Sequence, residues 1–180
     1  GAMLLNTTGG YNVAVGTGVL DANTTGVANV AMGYNALGAN TTGTNNVAIG
    51  NGALDAVTTN AGEQVAIGVS SLGACTSGVS NTALGSRTLE VNTTGGYNVA
   101  VGDNALDANT SASNNNALGY DALGANTTGT HNNAFGTLAL DANTTGGYSA
   151  AMGTSALGDQ TTGGNNVGIG HDAGGQITTG

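Results

Sequence analysis

The sequence predicts an all-β fold, a parallel β-solenoid or β-roll of about ten coils with 17 residues each. Three observations predict it. The stretch Asn12-Val13-Ala14-Val15-Gly16 returns at Asn29, Asn46, Gln64, Asn81, Asn98, Asn115, Asn132, Ser149 and Asn166. The starts are 17 residues apart, except for one step of 18 between Asn46 and Gln64. The chain also holds 34 glycines and no proline, a glycine density that no array of helices tolerates. Numbering each unit from that first residue, position five is Gly in all ten copies and position thirteen is Thr in all ten.

Positions one to five read as a strand, because apolar and β-branched residues alternate with Ala in a short run closed by Gly. Positions seven to twelve, as in Asn35-Ala36-Leu37-Gly38-Ala39-Asn40, are expected to form a second strand. The Thr-Thr-Gly that follows reads as a turn. Stacked coils repeat at one strand spacing, so ten of them would make a rod roughly 48 Å long. Residues 1–3, Gly-Ala-Met, resemble a cloning scar, and residues 4–180 read as a single repeat domain. Neither end reads as a capping unit, which suggests a piece of a longer array.

Position four is a large apolar residue in every copy: Val15, Met32, Ile49, Ile67, Leu84, Val101, Leu118, Phe135, Met152 and Ile169. Its bulk predicts that it fills the coil interior against the Leu of position nine. By strand alternation position three then looks outward. That file is Ala14, Ala31, Ala48, Ala66, Ala83, Ala100, Ala117, Ala134 and Ala151, closed by Gly168. A straight outward column of methyl groups suits close approach of another backbone, so these nine alanines are the expected interface of a homo-oligomer. The thin core argues the same way, since each coil buries only about three substantial side chains. The asparagine of position twelve reads either way: its replacement by Val57, Cys75 and Ile177 suggests the interior, whereas strict alternation from position nine points it out.

Composition narrows the function classes. Only 6% of residues are charged, Arg87 is the single Lys or Arg, and the formal net charge is −9. Nucleic acid and anionic membrane surfaces, both recognised through Lys and Arg, are therefore poor partners. No run of 18 apolar residues exists to insert into a membrane. Cys75 is the only cysteine, so there is neither a disulfide framework nor a metal-ligand spacing.

At Asn45-Asn46-Val47-Ala48-Ile49-Gly50 the unit resembles the head repeat of YadA-type trimeric autotransporter adhesins, which centres on Asn-Ser-Val-Ala-Ile-Gly. Similar repeats occur in phage tail fibres. The resemblance covers nearly the whole chain and implies a left-handed β-roll, a homotrimer about one axis, and surface attachment. General crossover preferences would predict the opposite hand. The period here is longer than the family's, and no neck, stalk or anchor is present in these residues. A bacterial cell-surface adhesin and a virion tail fibre therefore both stay open; either location is extracellular.

Candidate sites are few. Tyr11, Tyr97 and Tyr148 precede the first strand and Tyr34 and Tyr120 follow it; they are weak candidates for gripping a host glycan or matrix protein, against plain packing over glycine-rich turns. Asp21, Asp55, Glu90, Asp107 and Asp141 share position ten, but the calcium-binding β-roll pattern is missing, and no metal or cofactor is expected. His131 and His171 hold different unit positions without a recurring Ser or Cys partner, so no catalytic set is visible and an enzyme is not expected. The Asn-Thr-Thr triplets match the glycosylation pattern, yet here they repeat with the unit. The file from Thr24 to Thr178 at position thirteen supports an alternative, an ice-binding solenoid; against it, adjacent threonines cannot both face one side. The leading expectation is a non-enzymatic fibre or adhesin-head segment that mediates attachment or receptor binding.

Overall fold

The computed structural model describes residues 1–58 and 61–180. Ten strands form one parallel sheet: β1 (Val13–Thr17), β2 (Val30–Tyr34), β3 (Val47–Ile49), β4 (Val65–Ile67), β5 (Thr82–Leu84), β6 (Val99–Val101), β7 (Asn116–Leu118), β8 (Asn133–Phe135), β9 (Ala150–Met152) and β10 (Val167–Ile169). Each strand pairs with the next in sequence, and like positions face each other, as in Ala83↔Ala100 and Leu84↔Val101. The chain is thus a β-solenoid with about 17 residues per turn. Across the longer step the register holds at 17 residues as far as Thr58, which accepts from Thr41 N, and has become 18 by Ala61, which accepts from Asn46 Nδ2. The change of register thus falls between Thr58 and Ala61. Residues 1–3 are no loose appendage. Met3 takes the place of the position-nine Leu, with φ 56 and an amide bond to Val19 O of 3.0 Å, and Ala2 and Met3 pack on the core.

The second strand expected at positions seven to twelve does not form. That segment folds tightly because its residues alternate into the left-handed region: Asn35 has φ 52 and Leu37 φ 52, and Asp121 and Leu123 repeat this with 56 and 55. Leu, unbranched at Cβ, bears this conformation where Val or Ile would be a stronger outlier. Bonds within the bend, such as Gly38 N to Asn35 O at 3.1 Å, alternate with bonds to the next coil, such as Leu37 N to Ala53 O at 3.0 Å. Of the six N–H groups from Asn35 to Asn40, five are bonded within the bend or to a neighbouring coil although no strand forms there.

The faces are the reverse of the expectation from bulk. Positions one and three point inward, and positions two and four point out. Asn98 at position one lies inside and gives its Nδ2 to Ala112 O at 2.9 Å, while its Oδ1 accepts Asn115 N at 3.0 Å. Two residues on, position three must share that face. The expectation that Ala14, Ala31, Ala48, Ala66, Ala83, Ala100, Ala117, Ala134 and Ala151 form an outward interface is therefore overturned. Ala14 is half-buried at the first coil, and the other eight are sealed within their own coil against the leucines. The interior is closed there: at Gly168 even an added Cβ would come within 2.8 Å of Leu157 Cγ. Bulk goes outside because it does not fit inside.

Position twelve also points inward. In six coils its Asn and the Asn of position one donate to the same carbonyl, that of position fifteen; Asn81 and Asn92 reach Gly95 O at 2.9 and 3.0 Å. Two buried files rich in amides therefore lie beside the leucine file, the one at position twelve broken by Val57 and Cys75. A buried side-chain amide is costly unless bonded, and these are bonded within and between coils.

Candidate functional site, an uncovered apolar sheet face

The outer face of the sheet carries the position-four file, apolar in every coil. Val15, Met32, Leu84, Leu118, Phe135, Met152 and Ile169 are exposed, from 38% for Phe135 to 71% for Ile169. Ile49, Ile67 and Val101 are half-buried between their neighbours. Position two lies beside it and is Val in six coils. No charged residue stands at either position in any coil, although the chain carries −9 overall. At a coil spacing of about 4.8 Å and a strand width of about 10 Å, the strip covers on the order of 400 Å², comparable to the largest apolar patch of an ordinary monomer. Patches on that scale are often functional, and this one is continuous and free of charge along every coil. Sequence reasoning missed this file as a surface. The signal was present in its variety: Val, Met, Ile, Leu and Phe share one position, whereas buried positions three and nine are Ala and Leu in nine coils each.

The tyrosines are not gathered into one site. Tyr11, Tyr97 and Tyr148 stand at position seventeen with φ 60, their rings exposed, whereas Tyr34, the last residue of β2, and Tyr120 stand at position six, at the far end of the strand. Tyr148 stacks on His131 of the preceding coil, with ring centroids 4.8 Å apart and planes within 8°. Tyr34 borders an open groove of about 540 Å³ whose other walls include Asn51, Asp55, Ser70 and Glu90. Tyr34 thus shares that groove with several hydrogen-bonding side chains.

The position-ten carboxylates are half-buried along one edge. Burial pushes Asp55, Asp107 and Asp141 above the ordinary carboxylate range, and the neighbouring Asp121 charge raises the latter two further. Among the described residues no three His, Cys, Asp or Glu side chains are placed to hold a metal ion. The threonine file is engaged internally. Thr24 Oγ1 donates to Thr41 O at 3.0 Å, and Thr93 and Thr127 repeat that bond to Thr110 O and Thr144 O at 2.9 and 3.0 Å. Cys75 is buried, its thiol pushed up to about 11 by desolvation. No protein-family model, curated protein or solved structure matches the chain.

Proposed function

We propose that this chain is a rigid, non-enzymatic fibre or adhesin-head segment, assembled as a homotrimer and displayed on a bacterial surface or a virion tail fibre. The observation that carries the reading is the neutral, apolar position-four face on an otherwise acidic rod. Another rod of the same coil spacing is the partner that can meet such a file at every coil. Three copies wrapped about one axis would cover all three faces and leave the acidic bends and tyrosines outside. The likeness of the repeat to YadA-type heads supports the same stoichiometry and a left-handed roll.

Outward-facing repeats then offer many equivalent weak contacts to a host glycan or matrix protein, and avidity multiplies them. Tyr34, in its groove with Asp55 and Asn51, is the first residue to test. Ice binding fits less well, because the Oγ1 hydrogens of position thirteen are given to the next coil. The test is a screen of the assembled protein on glycan and matrix-protein arrays, beside a thermal-hysteresis assay. Binding that weakens in Tyr34→Ala supports attachment. Thermal hysteresis without array binding would replace it with the ice reading, and silence in both would leave a spacer.

A further inference from the structure

A face that repeats at every coil has a difficulty of its own. Sliding one rod past another by a single coil puts like residues opposite like again, so an apolar file alone does not choose a register. The file must be interrupted somewhere; on position two the polar residues are Thr82 on β5 and one adjacent pair of amides, and only the pair carries separate donor and acceptor atoms on each side chain. Asn116 on β7 and Asn133 on β8 stand side by side there, half-buried, with Asn116 Nδ2 donating to Asn133 Oδ1 at 2.8 Å. Val99 and Ala150 flank them, and Leu118 and Phe135 lie next to them on position four.

Resting on the self-association reading above, we propose that Asn116 and Asn133 set the register and the parallel direction of the packed chains. Among the described residues the Asn116 Oδ1 and Asn133 Nδ2 atoms take no partner within the chain. They remain an acceptor and a donor for a neighbouring copy. In register, the pair of one chain meets the same pair of the next and every amide finds a mate. A slip of one coil sets one asparagine against Val99 or Ala150. An antiparallel overlap of the ten coils sets both against Val47 and Val65. Either error desolvates an amide without a partner, which is the expense that makes a lone polar residue in a coiled-coil seam select one alignment.

The experiment compares wild type with Asn116→Val/Asn133→Val, a substitution that six other coils already carry at position two. Amide spectra and light scattering are recorded on both. The proposal expects the wild type to be an oligomer of one mass with a single cross-peak per residue. The double variant should still associate, with multiplied cross-peaks and a mass distribution spread upward, because staggered ends leave apolar file free to recruit more chains. Adding Val47→Asn/Val65→Asn to that variant should restore the single set. A double variant with one mass and one set of peaks, on an associating wild type, overturns the role of the asparagines while leaving association standing. A monomeric wild type overturns association itself.

Discussion

Gln64 and Cys75 occupy the two interior places that a pair of asparagines holds in six other coils, and the longer side chain of the first makes up for the shorter second. Gln64 Nε2 reaches Gly78 O and also lies 3.7 Å from Cys75 Sγ. Ser149 and Gln160 solve the same problem in the opposite sense, with the long amide at position twelve and a 3.1 Å bond between the two side chains. The interior files thus keep filled space and paired amides along the rod more strictly than they keep residue type.

That placement makes Cys75 inert. Its thiol is buried and titrates near 11, so little thiolate forms at neutral pH. A disulfide-exchange reagent at mildly alkaline pH should leave the native protein unmodified and label it fully in denaturant. Rapid labelling without denaturant would show that the coil around Gln64 opens.

Asn98→Ala should be costly for so small a change. It leaves the buried Asn115 N–H without its acceptor and takes one of two donors from Ala112 O. A loss of about 1–3 kcal/mol is expected from urea unfolding. An unchanged midpoint would mean that water or a shift of the coil replaces the ladder.

Gly119→Ala should be worse tolerated. Gly119 has φ 141, and an added Cβ would sit 2.5 Å from the Gly136 carbonyl of the next coil. The backbone conformation alone costs about 1–3 kcal/mol for a residue other than Gly, before the clash is relieved. The thermal midpoint should fall well below that of wild type.

Acid should stabilise this fold within a window. Asp55, Asp107 and Asp141 have pKa values raised by burial, so the folded state binds protons more readily than the unfolded chain. A raised carboxylate destabilises the fold at neutral pH, and that handicap fades as pH falls through the folded value. The thermal midpoint should therefore rise on going from pH 7 toward the ordinary carboxylate range near 4, and Asp107→Asn should flatten the rise. A midpoint that falls steadily over that interval would contradict the assignment.

The period, the parallel stacking and the strand at each Asn-Val-Ala-Val-Gly stretch were legible because repetition states them ten times. The second strand was not, because a run such as Asn35–Asn40 looks extended until Asn35 and Leu37 are seen in the left-handed region, a choice that neighbouring coils impose. The facing was misread for a sharper reason. Bulk marks burial in a thick core, whereas in so thin a coil constancy of volume is the better mark. Nine alanines at position three signal a closed space, and the run from Val15 to Phe135 at position four signals an open one. The inward Asn of position one held the answer, since strand parity ties it to position three.

The mass of the native chain in solution tests most directly whether sister chains cover the position-four face. Light scattering over a range of concentrations should return three times the 17.1 kDa chain mass, and Leu118→Glu/Phe135→Glu, which places charge on the exposed file, should return a folded single chain. A wild type that stays at 17.1 kDa throughout would contradict the claim that the position-four face is covered by sister chains.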